Sequence, residues 1–177
     1  MQGRIRKQTK YLTVSAMLSA LGVVFLMLGS LVEVLDISVA VLASLLTVYA
    51  VIEMGRAYPW LIWIVTSVLS LLLLPQKTPA LFYALFAGFY PILKEKLERI
   101  PSFVCYLLKL VVFHLCLGAM VAVMLLFIPD ALEMNGMKWL PIALYLAALA
   151  CFVLYDFALT KIITYYLIRL RKRFGIK

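Results

Sequence analysis

The sequence predicts an all-α polytopic membrane protein of six transmembrane helices, with both termini in the cytoplasm. Three observations carry that expectation. Hydrophobic residues make up 66% of the chain and mean hydropathy is +1.08, which leaves too little polar sequence to cover a soluble core. The apolar residues fall into runs divided by charge and proline: Tyr11–Leu31, Ile37–Ile52, Tyr58–Leu74, Ala80–Leu93, Phe103–Ile128 and Trp139–Leu167. The lysines and arginines gather in alternate gaps between those runs.

Length decides which runs can cross. A helix rising about 1.5 Å per residue needs roughly 20 apolar residues to span about 30 Å of hydrocarbon. Ile37–Ile52 and Ala80–Leu93 are shorter than the rest, so they are expected to be untilted, buried by neighbours or partly re-entrant. Charge decides orientation. Arg4, Arg6, Lys7 and Lys10 precede the first run, and Arg56 lies in the second gap. Lys94, Lys96 and Arg99 lie in the fourth, and Arg169, Arg171, Lys172, Arg173 and Lys177 follow the last run. The opposite gaps hold Lys77 and Lys138, together with Glu33, Asp36, Asp130 and Glu133. Basic residues stay cytoplasmic during insertion, so the number of crossings is even. The connecting gaps, about 5 to 10 residues each, are too short to fold separately, so residues 1–177 form one membrane domain.

Each element has its own punctuation. The first run follows a basic head but exceeds the roughly 7–15 residues of a secretory signal core, and reads as a retained helix. Pro59 opens the third run in its first turn, where a missing amide hydrogen costs little. Pro75 and Pro79 bracket an external turn, Pro91 lies near the cytoplasmic end of the fourth run, and Pro129 and Pro141 flank the largest external loop. The stretch from Lys94 to Arg99 continues the fourth helix as a solvated face, with Lys94–Glu98 and Glu95–Arg99 spaced to pair. Tyr11, Trp60, Trp63, Tyr165 and Tyr166 sit near cytoplasmic helix ends and Trp139 near an external one, the depth that amphipathic rings favour.

Several function classes are excluded. The formal charge of +9 sits at helix ends facing anionic headgroups, and no nucleic-acid reading module accompanies it. The single histidine, His114, rules out a His–His metal pair, and no GxSxG, P-loop or GxGxxG motif is present. Cys105, Cys116 and Cys151 lie inside runs, against a disulfide framework or a CxxC site. No enzymatic activity, cofactor or metal is expected.

The most specific positive signal is in the first run. Ala16 and Ala20 sit one turn apart, as do Ser15 and Ser19, with Gly22 beyond them. In lipid, small residues let backbones approach closely, so these five are expected either to pack against another helix of the same chain or to form a partner-docking face for a different subunit. A basic stub followed by a Thr/Ser/Ala-rich first helix with an AxxxA pattern resembles the substrate-binding subunits (S components) of energy-coupling factor (ECF) transporters. The resemblance covers the length, the helix count and the first helix. It implies that Ala16 and Ala20 contact a transmembrane coupling subunit, which two ATPase subunits drive. It names no substrate, since none of the family's vitamin-specific signatures is present.

Two further groups complete the expectation. A small-molecule solute would bind in the outer half, under the external loops. Thr66, Ser67 and Ser70 come from the third run, Tyr83 and Phe86 from the fourth, and Asn135, Trp139 and Tyr145 from the last loop and helix. Aromatic walls with a few polar groups suit a small organic ligand. Lys109, His114, Asp156 and Thr160 form an intramembrane polar network, because buried charge in hydrocarbon demands a partner. A contact of Asp156 with His114 or Lys109 would neutralise the carboxylate. The function expected is solute capture for an ATP-driven importer in the bacterial cytoplasmic membrane. A non-transporting scaffold using the same helix face, and a proton-coupled carrier built on Asp156 and His114, are the alternatives.

Overall fold

In the computed structural model, residues 2–32, 35–55, 57–127 and 140–170 are described, and every regular element among them is helical. The elements are α1 (Gln2–Leu31), α2 (Asp36–Glu53), α3 (Ala57–Leu73), α4 (Thr78–Phe82), α5 (Tyr90–Leu97), α6 (Ser102–Phe127) and α7 (Leu140–Tyr165). Two π-helical turns extend the set, Tyr83–Ala87 after α4 and Tyr166–Leu170 after α7. Gln8–Leu31, Asp36–Glu53, Phe103–Leu126 and Pro141–Ile168 are long and apolar enough to cross a bilayer, and Ala57–Leu73 is a shorter apolar helix. Glu33, Arg56, Ile128, Asp130, Glu133, Asn135, Lys138, Trp139 and Arg171–Lys177 lie outside the described residues.

The expected fourth helix, Ala80–Leu93, is instead broken. Pro91 has no amide hydrogen, and its ring collides with a helical carbonyl four residues back, at Ala87. The ladder widens ahead of it: the Gly88 amide donates to the Tyr83 carbonyl, five residues back, at 2.8 Å. Pro91 then occupies the first turn of α5, where it is tolerated. Gly88 is required at the joint, since a Cβ there would lie 2.6 Å from Trp63 Cδ1 and 2.7 Å from Tyr83 Cε1.

The chain divides into two compact units, residues 1–122 and 123–177, with α6 running from the first into the second. In the first unit, α1 packs along both α2 and α3, and α2 meets α4, the π turn and α5. Ala50, Met54 and Ile62 form an apolar cluster against Tyr11, Val14, Leu18 and Tyr58, with Tyr11 edge-on to Tyr58 at 5.4 Å. Both expected ion pairs near the end of α5 form, Lys94–Glu98 at 3.3 Å and Arg99–Glu95 at 2.6 Å. The stretch is not wholly a wet face, however. The Lys94 side chain is 1% exposed, because α5 lays it against the rest of the unit. In the second unit, Phe152, Tyr155 and Leu159 form one buried stripe on α7, spaced three and four residues apart as one helical face requires. The rest of α7 carries exposed apolar side chains such as Val153, Leu154 and Phe157, the surface that lipid contact calls for.

Candidate functional site

The first unit has a polar interior. Its first wall is a stripe on α1. Successive residues of an α-helix are rotated about 100°, so positions spaced four, three and four apart share a face. Ser15, Ser19, Gly22 and Leu26 obey that spacing and all four are buried. Ala16 and Ala20 lie one step round the helix and are exposed. The five-residue docking face expected from sequence is therefore corrected to two faces. Ser15, Ser19 and Gly22 serve the chain's own packing, and Ala16 and Ala20 alone point outward.

The inward stripe meets α3. A Cβ on Gly22 would sit 3.0 Å from Thr66 Cγ2, so the two backbones approach as small residues permit. Thr66 Oγ1 reaches the Ser19 carbonyl at 3.5 Å. From the other side, the Tyr83 hydroxyl lies 3.0 Å from Thr47 Oγ1 and is near enough to Thr66 to interact with it. α1, α2, α3 and the π turn thus converge on one buried hydroxyl cluster. Thr47 and Thr66 are fully buried and Tyr83 is 1% exposed.

Most hydroxyls in this interior satisfy themselves locally. Ser15 Oγ donates to Tyr11 O at 2.8 Å, Ser44 Oγ to Val41 O at 2.6 Å and Ser70 Oγ to Ser67 O at 3.1 Å. Such bonds to the preceding turn are the usual refuge of Ser and Thr in apolar helices. Ser19 Oγ and Ser67 Oγ depart from that pattern: both are buried and neither has a hydrogen-bond partner. An unmade buried hydroxyl costs about 1–3 kcal/mol, and native interiors rarely tolerate one without a guest such as water or a ligand.

An aromatic wall flanks the cluster. Phe86 stacks on Tyr90 at 5.3 Å and tilts against Phe82 at 5.6 Å. Trp63 lies 6.1 Å from Phe89 and donates its indole N–H to the Ala84 carbonyl at 3.0 Å. Five of the eight residues expected to bind solute, Thr66, Ser67, Ser70, Tyr83 and Phe86, are thus buried in the first unit. Tyr145 is an exposed residue of α7 in the second unit, while Asn135 and Trp139 lie outside the described residues.

Sequence reasoning missed Ser44 and Thr47. The signal was present: Ala40, Ala43, Ser44, Thr47 and Ala50 form a small and hydroxyl-bearing stripe at helical spacing in α2, and all five are buried.

The ionisable residues fall elsewhere. Lys109 is buried and lies 3.8 Å from Glu98, with its ammonium 5.8 Å from the Tyr106 ring; an acidic residue at the end of α5 is a partner the sequence did not suggest. His114 is exposed on α6, with Nδ1 2.8 Å from Leu110 O and its ring edge-on to Phe113. Asp156, in the second unit, is half-buried. Thr160 Oγ1 donates to its carbonyl at 2.9 Å, and Thr164 Oγ1 to the Thr160 carbonyl at 2.7 Å. Among the described residues no group of His, Cys, Asp and Glu could hold a metal ion. No protein family, curated protein or solved structure shows significant similarity to this chain.

Proposed function

We propose that this chain captures a small solute for an ATP-driven importer, in the manner of an ECF S component. The observation that carries the reading is the pair of buried, unpartnered hydroxyls, Ser19 and Ser67, in a hydroxyl-lined interior. Each calls for a polar guest, Ser19 on the face of α1 that meets Thr66, and Ser67 about 100° round α3 from Thr66. Ala16 and Ala20 support the second half of the reading, since both are exposed and able to receive a coupling subunit.

On this reading the chain crosses the bacterial cytoplasmic membrane six times, with both ends in the cytosol. The four long apolar helices supply four crossings. Ala57–Leu73, 17 residues long, sits at the lower limit of about 17–25 for a fifth. The broken path from Thr78 to Leu93 covers at most about 24 Å at roughly 1.5 Å per residue, a short last crossing of the kind that local bilayer thinning accommodates. The solute enters from outside, the Ala16/Ala20 face docks on the coupling subunit, and partner ATPases drive reorientation that releases it inside. The chain itself performs no chemistry.

A scaffold role is the second reading, favoured by the hydroxyls of Ser15, Ser44 and Ser70, which bond within their own helices and need no guest. Native mass spectrometry of the protein taken from its own membranes in mild detergent separates the two. The importer reading expects a bound small molecule and co-purifying ATPase subunits. Partners without a small molecule would favour the scaffold, and neither would sink both.

A further inference from the structure

We infer that the α5–α6 junction binds the phosphate of an anionic phospholipid headgroup, which takes the place of the Glu98 carboxylate between Lys94 and Lys109. The Lys94 ammonium lies 3.3 Å from Glu98 Oε1, and the Lys109 ammonium lies 3.8 Å from the same oxygen. The two ammonium groups are therefore at most 7.1 Å apart, the sum of those distances. One phosphate, accepting charge-assisted bonds of about 2.8 Å on two of its oxygens, spans such a gap. Both lysine side chains are buried, at 1% and 8% exposure, whereas that of Glu98 is 41% exposed. Glu98 is thus the member of the trio that reaches the surface, and the one a headgroup can displace.

Charge selects the occupant. Ala50 and Met54, at the end of α2, meet Tyr11 and Tyr58, and Lys96 lies 5.4 Å over the Trp60 ring. The end of α2, the start of α3 and the end of α5 therefore share one level. Among the described residues of the first unit, the carboxylates at that level are Glu53, Glu95 and Glu98, since Asp36 opens α2 at its opposite end. Arg99 engages Glu95 at 2.6 Å. Two carboxylates are left for Lys94, Lys96, Lys109 and, next to Tyr11, Lys10. However those charges are shared out, cations exceed carboxylates, and two of the cations are buried. A buried ammonium is costly unless an anion accompanies it, so an anion from outside the chain is favoured. α2 is long and apolar enough to cross a bilayer, which puts its end at a membrane surface, where lipid phosphate is the abundant anion. Trp60 and Tyr106, the rings beside Lys96 and Lys109, suit the headgroup depth that amphipathic aromatics favour. The site does not depend on the solute-capture reading.

The test follows thermal unfolding of the full chain by circular dichroism in a neutral detergent, with phosphatidylglycerol, phosphatidylcholine or inorganic phosphate added. Phosphatidylglycerol should raise the melting temperature by roughly 5 °C at saturation, and the other two should not. Lys109→Gln should lose at least half of that rise. Lys10→Gln, which removes an exposed charge at the same end, should keep all of it. Glu98→Gln should melt lower than the parent in detergent alone, because two buried ammonium groups lose their shared counter-charge. With phosphatidylglycerol it should recover to the melting temperature of the lipid-bound parent. No rise in the parent, an equal rise with phosphatidylcholine, or an equal loss in Lys109→Gln and Lys10→Gln would each overturn the site. An equal rise with inorganic phosphate would overturn its assignment to lipid. If Lys109→Gln does not fold, Glu98→Gln decides: a deficit that phosphatidylglycerol leaves uncorrected overturns the inference.

Discussion

The indole N–H of Trp63 occupies the carbonyl of Ala84 at 3.0 Å, and this pairing holds the π turn in place. In a regular helix that carbonyl would accept the Gly88 amide, but Gly88 donates instead to Tyr83. The widened turn therefore frees one carbonyl, and a side chain from α3 takes it. The same turn points Tyr83 at Thr47, so the joint in the α4–α5 path and the polar interior are one construction.

Trp63→Phe keeps the apolar bulk and removes the donor. It should lower unfolding stability in detergent by about 1–3 kcal/mol, the usual cost of orphaning a buried backbone acceptor. Denaturant titration followed by circular dichroism measures it. A variant as stable as the parent would show that the Ala84 carbonyl finds another donor.

Gly88→Ala attacks the same joint sterically. Its Cβ would fall 2.6 Å from Trp63 Cδ1 and 2.7 Å from Tyr83 Cε1, so two rings must move, at roughly 1–3 kcal/mol. Gly118→Ala is the matched control. A Cβ at that position would meet nothing within 4 Å, and the gain in helix propensity, up to about 1 kcal/mol, should leave that variant at least as stable. Equal melting temperatures for the two alanine variants would contradict the close approach at Gly88.

Tyr83 and Thr47 should be energetically coupled. Tyr83→Phe and Thr47→Val each break the 3.0 Å bond, so the double variant should lose less than the sum of the singles. A coupling of about 0.5–1.5 kcal/mol is expected for one buried hydrogen bond. Additive losses would mean that the bond contributes nothing to stability.

Helix positions are legible in the sequence because apolar runs and prolines are local signals. α2, α3, α6 and α7 fall within two residues of the runs that anticipate them, while α1 ends with its run at Leu31 but begins nine residues earlier, at Gln2. The break at Tyr83–Ala87 is not legible, although Pro91 stands out. A proline near a helix end is ordinarily harmless, and only the crowding of Gly88 by Trp63 and Tyr83 makes the wider turn the favoured solution. The polar interior is half legible. Thr66, Ser67, Ser70 and Tyr83 stand out in apolar sequence, but their meeting with Ser19 and Thr47 depends on which faces of α1 and α2 turn inward. Hydropathy cannot phase a helix that is apolar all round. For the same reason spacing alone groups Ser15, Ser19 and Gly22 with Ala16 and Ala20, from which about 100° of rotation separates their stripe.

That rotation supplies a last prediction, which separates a face used by the chain from a face offered to a partner. Ala16→Leu with Ala20→Leu adds bulk to an exposed surface, so the isolated protein should unfold at an unchanged temperature. If a coupling subunit docks there, closely approaching backbones are blocked, and co-purification of ATPase subunits should be lost while any bound solute stays. Ser19→Leu adds comparable bulk one step away, on the buried stripe against Thr66. Overpacking that seam should cost about 1–3 kcal/mol in the isolated chain and should remove solute as well. The two variants thus give opposite patterns of assembly and stability. A leucine pair at 16 and 20 that leaves the complex intact would show that this surface meets only lipid.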